Sequence, residues 1–64
     1  MTEVKEALHI QFLDGTNTWR TSVSNVTPVD QMIQNEMRMV KRMYPNYRVR
    51  AVGMKSGRVY DILN

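Results

Sequence analysis

The chain has 64 residues, a net charge of +3, apolar side chains at 42% of positions and no cysteine. A chain this short forms one domain, residues 1–64, and buries only about 60% of its unfolded surface. Without cysteine, neither disulfides nor a Cys-ligated zinc site can reinforce so thin a core, and pairing with another copy is one way to complete it.

Residues 1–3 read as a loose start. From Val4 the pattern alternates: Val4, Leu8, Ile10 and Phe12 share one parity, broken by Glu6, while Lys5, His9 and Gln11 share the other. Period two over this length predicts a half-buried strand. Asp14-Gly15-Thr16-Asn17 is a turn signal, because Gly and Asn tolerate positive φ and Asp accepts hydrogen bonds from its own backbone. The run Thr18–Val26 then predicts a second strand, with Trp19, Thr21 and Val23 on one face and Arg20, Ser22 and Ser24 on the other. Trp19 and Phe12 are expected in the core.

Thr27 to Tyr44 carries the helix signals. Thr27 suits the N-cap, Pro28 the first helical position, and Asp30 the positive end of the helix dipole. At about 100° per residue, Val29, Ile33, Met37, Val40 and Tyr44 form one apolar stripe. Arg38, Lys41 and Arg42 point away from it. Met32, Met39 and Met43 line one margin of the stripe, with Glu36 among them. A carboxylate there either pairs with a base or lies at the sheet's edge, where the methionines are exposed and suited to contact another chain. Pro45 ends the helix.

Tyr47, Val49, Ala51 and Gly53 share one parity of the next strand, and Arg48, Arg50, Val52 and Met54 the other. Lys55-Ser56-Gly57 reads as a hairpin loop with Gly at positive φ, and Arg58–Leu63 as the last strand. Keeping Asp61 out of the core favours Tyr60 and Ile62 as its inward residues.

The order ββαββ predicts an α+β fold: a single four-stranded sheet with one helix packed across one face. This order resembles the protein-G-like β-grasp, in which the first and last strands pair in parallel at the centre. That likeness would leave Thr18–Val26 and Tyr47–Met54 as edges. An all-antiparallel sheet fits the same order.

Charge is uneven along the chain. Residues 1–36 carry a balance of −3, and residues 37–64 hold seven Lys or Arg against Asp61 alone, a balance of +6. Catalysis has little to work with: His9 is the only histidine, and neither a nucleophile motif, a metal-ligand spacing nor a phosphate-binding glycine loop is present. The expectation is a non-enzymatic protein-interaction module, such as a binder, inhibitor or accessory factor, with another protein or its own copy as partner. It would use a sheet edge or face, with Arg48, Arg50, Lys55, Arg58 and Tyr47 as contacts and Met32, Glu36, Met39 and Met43 as a second margin. The alternative is nucleic-acid binding, in which these cations neutralise phosphates while tyrosines stack on bases. No cofactor, metal or small-molecule substrate is expected. No apolar run approaches the ~20 residues of a membrane span, and the acidic start does not resemble a signal peptide, so a cytoplasmic location is expected.

Overall fold

The computed structural model describes residues 6–64. Val4 and the loose start at residues 1–3 lie outside that range. Four strands and one helix follow in the expected order: β1 (Leu8–Leu13), β2 (Trp19–Val26), α1 (Asp30–Met43), β3 (Val49–Gly53) and β4 (Val59–Leu63). The strands form one antiparallel sheet in the order β2-β1-β3-β4. Since β2 and β3 are both antiparallel to β1, they run parallel to each other, and α1 is the crossover that joins them.

The all-antiparallel form, not the β-grasp order, is therefore adopted. β1 pairs with β3 from Leu8↔Gly53 to Phe12↔Val49. The edges are β2 and β4, and β3, which carries Arg50 and follows Arg48, is central. The residues explain the choice. Val49, Ala51, Val52 and Gly53 are all buried, so β3 suits an interior position. β4 carries Asp61 and exposes Val59 and Ile62, as an edge strand can.

On the covered face, Leu8 and Ile10 of β1, Val26 of β2, and Val49 and Ala51 of β3 pack against Ile33, Met37 and Val40 of α1. Each of the Leu, Ile, Val and Met side chains contributes roughly 1.5–3 kcal/mol when fully buried. At one end of this core, Phe12 stacks on Tyr44 with ring centroids 4.0 Å apart, and Tyr47 completes the stack at 6.1 Å from Phe12.

The helix starts later than its cap signals suggest. The Thr27 carbonyl accepts the Val29 N–H (2.8 Å), closing a tight three-residue turn around Pro28. Val29 becomes the N-cap, without a side-chain cap, and Asp30 the first helical residue. Val29 is consequently exposed instead of heading the core stripe. Lys41 also departs from the expected outward face: its ammonium donates to the Tyr47 carbonyl (2.6 Å), tying the helix end to the start of β3.

Two strand facings differ from simple alternation, both because of bulges. In β2 the register against β1 slips on either side of Ile10, and Asn25 takes φ 58°. Val23 and Val26 therefore face the helix, whereas Trp19 and Thr21 face the uncovered side. In β4 an extra residue lies opposite the Ala51–Val52 step. Tyr60 and Leu63 both pack against the core, Ile62 faces outward, and Asp61 accepts a hydrogen bond from Gln34 of α1 (2.6 Å). The expectation of Ile62 inward and Asp61 outward is thus reversed.

Candidate functional site

The sheet face opposite the helix, uncovered among the described residues, gathers residues from all four strands. Its centre is Arg50, which faces away from Val49 and Ala51 as strand alternation requires. The Arg50 guanidinium lies 4.0 Å from the centroid of the Trp19 ring, reaching across β1 to β2. Its Nε donates to Oε1 of Gln11 (2.9 Å), and the Gln11 amide in turn donates to Oγ1 of Thr21 (3.2 Å). Burial pushes the Arg50 pKa down from its ordinary value, the mark of a cation that has lost part of its hydration. Arg48 lies on the same side, one residue before β3, and donates to Asn64 (2.8 Å). Beyond Arg50 the face continues to Ile62, 37% exposed, and Val59, 44% exposed. His9, opposite Val52, completes one end; its Nδ1 is buried with no hydrogen-bond partner among the described residues.

The other residues expected to contact a partner lie elsewhere. Lys55 and Arg58 are at the β3–β4 turn, roughly 20 Å along the strand direction from Arg48. The Arg58 guanidinium sits 5.3 Å from the centroid of the Tyr60 ring. Tyr47 is in the aromatic stack on the helix side, with its ring engaged by Phe12 and Tyr44. The basic residues of the C-terminal half therefore do not converge on one surface.

The chain shows no significant match to any protein-family model, curated protein or solved structure.

The methionine margin is exposed along α1. Met32, Met39 and Met43 are 44–53% accessible, and Glu36 is half-buried among them. Gln34 binds Asp61 on the β4 side of the helix, so the methionines occupy the flank above the β2 edge. Among the described residues, no three His, Asp or Glu side chains gather as a metal site would require, and no helix is long and apolar enough to cross a membrane.

Two clusters centred on carboxylates organise the turns. Asp14 Oδ1 accepts the backbone N–H of Thr16 (2.8 Å) and Thr18 (3.1 Å) and the Thr16 hydroxyl (2.6 Å), while Oδ2 meets Arg20. The Thr16 hydroxyl and Arg20 hold the Asp14 carboxyl well below the usual range. Glu6 does the equivalent at the other turn, from a distance in sequence. Its Oε1 accepts the backbone N–H of Lys55 (2.9 Å) and Ser56 (3.0 Å), and its Oε2 accepts the hydroxyls of Ser56 (2.7 Å) and Tyr60 (2.8 Å). The Ser56 hydroxyl and N–H, then Tyr60, hold its pKa at about 2 against an ordinary 4.5.

Sequence reasoning missed the Glu6 cluster and the place of Trp19. In the sequence, Glu6 reads only as an interruption of the first strand's pattern. Its parity is in fact kept: it follows Leu8 and Ile10 onto the helix side but lies past the core, over Gly53. A side chain at Gly53 would overlap the Glu6 carboxylate. No spacing rule links a residue before β1 to a turn about fifty positions away. Trp19 and Val23 take opposite faces because the β2 register slips at Ser22, between Ile10↔Val23 and Gln11↔Thr21, and no residue type marks that slip.

Proposed function

We propose that this protein is a non-enzymatic interaction module that binds another protein through the uncovered face of its sheet. The observation that carries the reading is the Arg50–Trp19 stack at the centre of that face. Arg and Trp are enriched where truncation costs most at protein interfaces, and a partly dehydrated Arg held in place loses little further entropy on binding. Gln11 and Thr21 orient the stack, and Ile62 and Val59 extend it with exposed apolar surface. Arg48 and Arg50 favour an acidic region on the partner.

Nucleic acid is the second reading, supported by the balance of +6 over residues 37–64. Against it, Tyr44 and Tyr47 stack on Phe12 and each other, and Tyr60 is engaged by Glu6 and Arg58, so no tyrosine presents a free ring to a base.

The test is affinity capture from the native host with wild type, Trp19→Ala, Arg50→Ala and, as a control on the far side, Arg42→Ala, alongside sedimentation of the purified protein. A partner or self-association lost in the first two variants and kept in the control is the expected result. Capture indifferent to Trp19 and Arg50, together with a strict monomer, would remove the reading. Binding to generic DNA or RNA that weakens steeply with salt would favour the alternative.

A further inference from the structure

We propose that the β3–β4 turn is a carboxylate-binding nest, filled by Glu6 in this structure and able to take the carboxylate of a second molecule in its place. Four donors converge on the Glu6 carboxylate: the successive backbone N–H groups of Lys55 and Ser56 on Oε1, and the hydroxyls of Ser56 and Tyr60 on Oε2. Consecutive N–H groups in a turn form a concavity suited to an anion. Division of the donors two and two matches a ligand with two oxygens.

Bonds that do not involve Glu6 also hold the donors. The Gly53 N–H donates to the Arg58 carbonyl (2.8 Å), the Gly57 N–H to the Gly53 carbonyl (3.0 Å), and Gly57 takes φ 73°. The Ser56 hydroxyl oxygen accepts the Arg58 N–H (3.1 Å), which leaves its proton free to point at the anion. Tyr60 is anchored against the core. These constraints shape much of the nest before a carboxylate arrives, which lowers the ordering cost of binding one.

The surroundings favour exchange. Lys55, Ser56 and Arg58 are exposed, so the nest can be reached from solvent. Both cations belong to the positive half of the chain. Glu6 itself precedes β1, and the Met54 N–H to Ala7 carbonyl bond (2.9 Å) is the pairing between it and the end of the β1–β3 ladder. An internal carboxylate competes at an effective concentration in the millimolar range or above, so the wild-type nest is closed to weak ligands and open to those that bind better or displace Glu6. The nest shares no residue with the Arg50–Trp19 stack, so either can fail without the other.

The experiment follows the backbone amides of Lys55 and Ser56 by 15N–1H NMR while sodium acetate is added at constant ionic strength, with chloride as the balancing salt. In Glu6→Ala, acetate is expected to give saturable shifts centred on these two amides. In wild type the same shifts need at least tenfold more acetate. Adding Ser56→Ala to Glu6→Ala weakens the response severalfold. If Glu6→Ala does not fold, the titration is made on Glu6→Gln, whose neutral amide acetate displaces. Shifts that fail to saturate, or that chloride reproduces, would overturn the nest. Inorganic phosphate binding as well as acetate would overturn its assignment to carboxylates.

Discussion

At the β1–β2 turn, Asp14 gathers N–H and hydroxyl groups from within four residues of itself; at the β3–β4 turn, Glu6 gathers the same kinds of donor from about fifty residues away. Both carboxylates accept two backbone N–H groups and at least one hydroxyl, and both have their pKa pulled down by it. The difference is what each arrangement couples. Asp14 shapes a loop that its own sequence encodes, so the first hairpin's turn is a local matter. Glu6 ties the entrance of β1 to the far hairpin, so the second turn is complete only once the sheet is assembled. The first hairpin supplies its own carboxylate, and the second adds a borrowed one to the bonds within its turn.

The largest separation between the two turns is expected from their glycines. Gly53→Ala puts a methyl group where the Glu6 carboxylate lies, so the carboxylate swings off its donors and stability falls by about 1–3 kcal/mol, the cost of losing hydrogen bonds to a charged group. Gly15→Ala meets only ordinary contact, with the Tyr47 hydroxyl at 3.7 Å, and is expected to be close to neutral. Denaturant midpoints of the two variants measure this directly. Equal losses would mean that the Glu6 contact does not distinguish the turns.

Removing each charge in turn sharpens the comparison. Glu6→Gln and Asp14→Asn should both destabilise at neutral pH, but amide hydrogen exchange should rise in different places. Asp14→Asn is expected to loosen residues 14–20, whereas Glu6→Gln should loosen both the start of β1 and residues 53–58. Acid offers a check without mutation. The Glu6 pKa is depressed in the folded state, so its contribution is fully present above its ordinary 4.5 and is lost as pH falls toward about 2. Wild-type stability should therefore decline over that window, less steeply in Glu6→Gln. An unchanged slope would show that Glu6 is not latched in solution.

The smallest effects concern backbone shape. Gly57→Ala forces a left-handed conformation on a residue with a Cβ and should cost about 1–2 kcal/mol at most, even though nothing crowds the site. Asn17→Gly, at φ 63°, should be nearly neutral, since either residue accepts that geometry. Thermal melts would resolve the first from the second.

Much of the local structure was legible in the residues. Asp14, Asn17 and Gly57 each meet a requirement set within a few positions of themselves: acceptance of nearby N–H groups, or a positive φ. The alternation of Val49 and Ala51 against Arg48 and Arg50, and the Ile33–Met37–Val40 stripe, follow from the strand and helix periods. Those periods alone place Arg50 on the face opposite the helix. They could not supply its neighbour Trp19, because register slips in β2 turned that ring away from the side its parity suggested. Nor could they choose between Thr27 and Val29 as N-cap, since the turn at Pro28 competes for the same backbone.

What the sequence determined by itself was therefore the set of elements, most of their inward faces and the chemistry of the first hairpin's turn, all short-range consequences of stereochemistry and apolar spacing. Tertiary structure decided the pairing of β1 with β3, the bulges that turn Trp19 to the face opposite the helix and Ile62 outward, and the seating of Glu6 over Gly53. These depend on which distant surfaces fit when the chain closes. That fit is a property of packed shapes and converging donors, and no residue states it alone.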